Sequence, residues 1–203
     1  MTLVRSALKI VLAGVLGGSA AFPLRAPDFR HCSEERLVPA RPLFGPADTV
    51  SMFIIGDVML HERQMSYSYG PFLEHISGRM KAADITVANM EFPLGGKPYS
   101  GYPAFSAPDE YACYINSCGA NVFLAANNHI LDKGYTGIER TIHVYDSLEA
   151  AGAIRYAGIS ADSLDNAGRY PLIVNVRGVR IALLNFTYGT NNPVKRGKWP
   201  KVN

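Results

Sequence analysis

Residues 121–141 read NVFLAANNHILDKGYTGIERT, and they decide how the rest of the chain is interpreted. An apolar run ends abruptly in two amides and an imidazole, Asn127, Asn128 and His129. Asp132 and Gly134 follow, and then the spacing changes. Ile138, Ile142, Tyr145 and Leu148 recur at the helical interval, with Gly152 as the stop signal. The stretch therefore reads as a buried strand, a polar loop and a helix. Apolar strands usually end in plain turn residues. This one ends in groups that bind a metal, hold an oxyanion or move a proton.

The same alternation extends in both directions. TVSMFIIGD (49–57) reads as a strand ending at Gly56-Asp57. GPFLEHISGRMKAAD (70–84) sets Phe72, Leu73, Ile76, Met80 and Ala83 on one side of a helix. DITVANME (84–91) is a second strand, and APDEYACYINSCGA (107–120) is a helix opened by Pro108, Asp109 and Glu110 and closed by Gly119. After the 121–141 unit, AIRYAGI (153–159) is a fourth strand. YPLIVNV and VRIALLNFT, joined by Arg177-Gly178, form a hairpin. Strands alternating with helices predict an α/β layered domain whose front strands are parallel. The first three strands are continuous apolar runs, as strands covered on both faces should be. No internal repeat or low-complexity segment interrupts them.

The 203 residues suffice for one ordinary domain, and 48% are apolar, enough for a sizeable core. The net charge of +3 is small, and the basic residues cluster only at Lys195, Arg196, Lys198 and Lys201, read as a solvated tail. No nucleic-acid motif is present, so no nucleic-acid partner is expected. Cys32, Cys113 and Cys118 lack zinc spacing, and their odd count does not predict a disulfide framework; they read as small buried hydrophobes. Residues 1–22 place Arg5 and Lys9 before the apolar run 10–16 and then small residues, the order of a secretory signal. A cut after Ala20 would leave Gly18 and Ala20 at the two small-residue positions; an uncleaved membrane anchor is the alternative. Residues 23–48 form a Pro-rich linker, and the domain is expected over 49–203. Export follows as the expectation, to the periplasm or the cell surface.

In an open α/β sheet, ligands bind at the carboxyl ends of the strands. The first strand here ends in Asp57, the second in Asn89 and then Glu91, and the third in Asn127, Asn128 and His129. Singly, each has an ordinary structural role as a turn residue, cap or packing histidine. Together, at three successive strand ends, they supply oxygen ligands and an imidazole suited to a divalent cation, Mn²⁺, Mg²⁺, Zn²⁺ or Fe²⁺. Such a cation polarises a phosphoryl or carbonyl oxygen and activates water.

The segments FIIGDVML (53–60), ANMEFPL (88–94), AANNHILDKGYTGIERT (125–141) and LLNFTYGTN (183–191) occur in this order and resemble bacterial capsule-synthesis proteins of the CapA, poly-γ-glutamate capsule type. That family looks like a branch of the calcineurin-like metallophosphoesterase superfamily, so the resemblance implies a layered metallophosphoesterase-like sandwich. It also implies Asp57, Glu91 and Asn128 as metal ligands, with His129 protonating a leaving group or stabilising charge. Asn89, Asn127 and Asp132 would support those ligands from behind, and Gly134 and Gly137 would let the loop turn into the helix. Two divalent ions are expected in a complete family member.

Two departures qualify the resemblance. Met59 stands where the superfamily usually has a histidine, and His61 is not in a matching context. Family members also continue past the equivalent of residues 183–191 with histidine-bearing motifs, whereas no histidine follows His143 here. The expectation is an N-terminal part of such a domain, with an incomplete sheet edge that invites aggregation. His143, beside Glu139 and Asp146, is expected to be solvated. Three functions follow: a metal-dependent hydrolase of phosphoester or amide bonds, a non-catalytic extracytoplasmic partner of membrane-associated machinery for an anionic surface polymer, or an inactive fragment.

Overall fold

The computed structural model describes residues 49–203. The expected leader (1–22), the linker (23–48), His31 and Cys32 lie outside the described residues. Four strands, β1 (Met52–Val58), β2 (Ile85–Met90), β3 (Val122–Leu124) and β4 (Arg155–Ala157), form one parallel sheet in the order β1-β2-β3-β4. Between them run α1 (Glu74–Ala82), α2 (Asp109–Ser117) and α3 (Gly134–Ala150). Chain order equals sheet order, so the right-handed crossover rule puts all three helices on one face. The fold is the α/β class expected.

Side-chain alternation along the strands shows both faces in use. Ala88 and Met90 of β2, Phe123 of β3 and Tyr156 of β4 point into the helical layer, where they meet Met80, Ile115, Ile138, Ile142 and Tyr145. Ile85 and Val87, Val122 and Ala157 point the other way. They are covered by a hairpin of β6 (Leu172–Val176) and β7 (Val179–Leu183), through Leu172 and Val174. Its turn is Arg177-Gly178, with φ of 51° and 79°, the left-handed pair a two-residue hairpin needs. Helices on one face and a β-ribbon on the other make a three-layer domain.

The helix-facing positions fall where the helical spacing places them. Ile138, Ile142, Tyr145 and Leu148 of α3 are all buried, as is Met80 of α1, while Phe72, Leu73 and Ile76 pack partly buried against them. His143 is exposed, as expected.

Five readings are corrected. The fourth strand breaks at Gly158 into β4 and β5 (Ile159–Ser160). The segment read as a solvated tail contains β8 (Lys201–Val202), which pairs antiparallel with β5. A short helix, α4 (Ser163–Arg169), stands where none was expected. β1 is not covered on both faces: Met52 and Ile54, on the hairpin side, are 41% and 67% exposed. Of the cysteines, Cys118 is buried and free, as expected, whereas Cys113 is disulfide-bonded and so not the plain hydrophobe the spacing implied. Among the described residues, no helix is long and apolar enough to cross a membrane.

Candidate functional site

The strand ends of β1, β2 and β3 lie side by side because the strands are parallel and adjacent. β1 reaches its end through an irregularity. Ile54 pairs with Val87 but Asp57 pairs with Asn89, so β1 spends one extra residue there. Gly56, at φ +71°, supplies the left-handed backbone for this bulge and re-aims the next residue. The result is a hydrogen bond of 2.8 Å from Asn89 Nδ2 to Asp57 Oδ1.

A chain of amides continues from there. Asn127 Nδ2 donates to Asn89 Oδ1 at 3.2 Å and to the Met90 carbonyl at 2.9 Å. Asn127 Oδ1 accepts from the backbone N–H of His129. Asn127 is thus buried with both ends of its amide occupied, tying the 127–133 loop to β2. Asn89 and Asn127 thus form a hydrogen-bonded chain that ends on the Asp57 carboxylate.

Glu91 follows β2 and donates its backbone N–H to the Val58 carbonyl. Its carboxyl faces that of Asp57. Burial first, then the Asp57 charge and a hydrogen bond shared with Asp57, hold the Glu91 carboxyl above its ordinary range, while nearby His129 acts in the opposite sense. Two carboxyl groups converging at one point are unfavourable unless a proton or a cation sits between them.

His129 is buried and its Nδ1 lies 2.7 Å from Asp132 Oδ2. Asp132 also accepts from the backbone N–H of Phe105 at 2.8 Å, and its side chain is 2% exposed. A carboxylate can only accept, so Nδ1 carries the proton and Nε2 is left to face a ligand. The Phe105 ring meets the imidazole edge-on, with centroids 4.7 Å apart. His61 also meets the Phe105 ring edge-on, with centroids 5.2 Å apart. Gly134, at φ +62°, lets the loop enter α3.

Two asparagines that the sequence reading assigned no role complete the arrangement. Asn185, just beyond β7, accepts from the backbone N–H groups of Ala125 (3.0 Å) and Ala126 (2.7 Å), closing the end of β3. Asn191 lies against Asn128, His129 and Asp132. Its backbone N–H donates to the Asn128 carbonyl at 2.8 Å. Both fall in or beside the LLNFTYGTN segment, and polar residues directly after an apolar strand were the available signal. Partners some sixty residues away gave no local pattern to read.

The expected ligands are therefore brought together unequally. Asp57 and Glu91 face each other, with His129 near Glu91. Asn128 is half-buried and hydrogen-bonded to Asn191 rather than to either carboxylate. Met59, at the position where the superfamily usually has a histidine, packs against the core. Among the described residues, no three of His, Cys, Asp and Glu are gathered so as to hold a metal ion. The donor set at the strand ends is two carboxylates and amide oxygens, which fits a hard divalent cation whose remaining positions are filled by water.

A model of the family "Bacterial capsule synthesis protein PGA_cap" matches residues 51–203. The "Capsule biosynthesis protein CapA" of Bacillus anthracis is 27% identical over 150 residues, covering 69% of this chain and 35% of that protein. Two proteins of Sinorhizobium fredii (strain NBRC 101917 / NGR234), y4sH and y4uA, are each 31% identical over 147 residues, covering 68% of this chain and 30% of theirs. The chain thus spans about a third of the length of these relatives.

Proposed function

The chain belongs to the bacterial capsule synthesis protein PGA_cap family, and from that membership and the strand-end geometry we propose a metal-dependent hydrolase domain acting in capsule biosynthesis. The observation that carries this reading is the meeting of the Asp57 and Glu91 carboxyl groups beside an imidazole already paired with Asp132. Asp57 and Glu91 would hold a divalent ion, with Asn128 Oδ1 as a neutral oxygen ligand. A bound divalent ion would supply Lewis acidity and make a coordinated water nucleophilic at neutral pH. Asn89 and Asn127 hold the Asp57 carboxylate in place by the hydrogen-bond chain above. His129, fixed through Nδ1, presents Nε2 to carry a proton. In hydrolysis the water oxygen bonds to the phosphorus or carbonyl carbon and the ester or amide bond breaks. Nε2 would take the proton that the water gives up and pass it to the leaving oxygen or nitrogen, so that the imidazole ends as it began. Phe105 walls off one side of the imidazole from water.

The substrate we propose is an anionic polymer or a phosphoester. The 191–198 loop that binds the site also carries Lys195, Arg196 and Lys198. It is pinned beside the site: Lys195 donates its backbone N–H to the Tyr135 hydroxyl at 2.8 Å, and the Lys198 ammonium lies 4.2 Å from the Tyr135 ring centre. A rim of positive charge raises the local concentration of polyanions. Export to the periplasm or cell surface, where a capsule is assembled, is the proposed setting. The leader-like order of residues 1–22 supports it, and so does the Cys113 disulfide, since disulfides persist in oxidising compartments.

The experiment is titration of the full chain with Mn²⁺ or Zn²⁺, alongside turnover of a generic aryl phosphate. Asp57→Asn should weaken cation binding at least tenfold and His129→Ala should reduce turnover while leaving binding in place. Unchanged binding in Asp57→Asn would end the metal reading. A second reading is favoured by the core-facing Met59 and by the lack, among the described residues, of three acids, cysteines or imidazoles gathered to hold a metal. In it the domain is a non-catalytic partner of membrane-associated polymer machinery. It requires binding of poly-γ-glutamate that survives substitution of Asp57, Glu91, Asn128 and His129 together, and that weakens with added salt.

A further inference from the structure

Asn191 reaches the site from a loop sixty-two residues beyond His129, and its contacts fall on three of the residues singled out in the sequence. Its Nδ2 is 3.3 Å from Asp132 Oδ1, and its Oδ1 is 3.4 Å from Asn128 Nδ2. The same Nδ2 also lies 3.0 Å from His129 Nδ1, a contact that is no hydrogen bond, because that nitrogen spends its proton on the other Asp132 oxygen and has no lone pair to offer. The polarity of the arrangement is then forced from one end. Ionised Asp132 accepts only, so Asn191 must turn its NH₂ toward it. The Asn191 oxygen is thereby aimed at Asn128, which must answer with its own NH₂. Only the oxygen of Asn128 is left to face outward, and oxygen is the amide atom that binds a hard cation.

We propose that Asn191 is a positioning residue that carries the polarity of the Asp132 carboxylate across to Asn128, so that Asn128 presents oxygen rather than nitrogen to a cation. This deepens the metal reading above and rests on it for its use, though not for its geometry. An amide can turn over at little steric cost, since its O and NH₂ ends are nearly the same size. Without Asn191, the Asn128 side chain has no hydrogen-bond partner among the described residues to select one orientation. Groups that orient a metal ligand from behind commonly contribute 10–100-fold to metal affinity. Asn191 is exposed and follows the last element of the hairpin layer, so it adds little to the core.

The test compares Mn²⁺ affinity of the full chain with that of Asn191→Leu, Asn191→Asp and the exchange pair Asn191→Asp with Asp132→Asn. Leu should weaken Mn²⁺ binding about tenfold or more without lowering the metal-free melting temperature. Asp should weaken it too, because it sets a second carboxylate against Asp132. The exchange pair restores one donor facing one acceptor, still leaves the Asn128 oxygen outward, and should recover most of the loss. A Leu variant that binds Mn²⁺ within twofold of the parent, or an exchange pair no better than Asn191→Asp alone, would overturn the inference while leaving the cation site standing. Should the parent chain take up no Mn²⁺, the cation reading fails and the inference is decided on the metal-free protein. There, the Asn128 side-chain amide resonances must shift in Asn191→Leu; if they stay in place, the inference is lost as well.

Discussion

Glu91 shows how a single residue can serve a site at the expense of the fold. Its carboxyl is half-buried against Asp57, and its proton is held more tightly in the folded protein than in an unfolded chain. The sign of the linkage follows. A folded-state pKa above the unfolded one means that stability falls as pH rises from the ordinary carboxylate range through the native value. At neutral pH Glu91 is therefore a modest burden on the metal-free protein. Glu91→Gln should raise the metal-free melting temperature at pH 7 by the equivalent of less than about 1 kcal/mol, because water still screens the pair. The gain should vanish toward pH 4, and the same variant should lose cation affinity. Thermal melts at the two pH values check this, and a variant less stable than the parent at pH 7 would refute it. Asp57, Glu91, His129 and Asp132 were legible as a group because residue type and strand-end position coincide. Asn185 and Asn191 were not, since an asparagine becomes informative only when its distant partner is known.

Elements were legible where their own residues supply the pattern. α3 has an apolar stripe, and the β6–β7 hairpin has a turn dipeptide with two left-handed residues. α4 has neither. Its seven residues, SLDNAGR, include no buried side chain. It exists because Asp162 caps it, accepting from the N–H groups of Leu164 and Asp165, and because Arg169 anchors its far end. Arg169 pairs with Asp165 in its own helix and with Asp146 and Glu149 of α3, and its guanidinium lies 3.7 Å from the Tyr156 ring centre. Only Asp165, four residues back, can be read from local spacing; Asp146, Glu149 and Tyr156 cannot. Arg169→Met keeps the bulk but leaves Asp146 and Asp165 without their cation and Glu149 with Arg155 alone. It should cost about 1–3 kcal/mol in urea unfolding, below the range for a fully buried pair because the acids are partly solvated. Added salt should recover part of the loss by screening the acids from one another. Arg169→Lys should fall short of the parent, since an ammonium cannot fork to several acids and stack on a ring at once. A midpoint for Arg169→Met equal to the parent's would show that α4 is held by something else.

The exposed side of β1 is a property of the whole layered arrangement. An edge strand in a parallel sheet with helices on one face needs a second cover for its other face. The hairpin supplies that cover over β2, β3 and β4, where Ile85, Val87, Val122 and Ala157 are buried, and stops short of β1. Ile54 is therefore 67% exposed although it is one register step across from Val87, which is 4% exposed. Apolar sequence alone predicted burial for both, because a continuous apolar run does not say how far its covering layer extends. The two positions should respond oppositely to the same change. Val87→Lys would bury an unpaired ammonium and should abolish cooperative folding. Ile54→Lys should change unfolding free energy by no more than about 0.5 kcal/mol, as surface substitutions usually do. It should also suppress self-association, because a lysine on an edge strand opposes edge-to-edge pairing. Sedimentation velocity of the two proteins at matched concentration tests the second effect, and urea unfolding the first. If Ile54→Lys unfolded the domain as Val87→Lys should, the free face of β1 would have to be covered in solution, and the three-layer account of this sheet would be wrong at its edge.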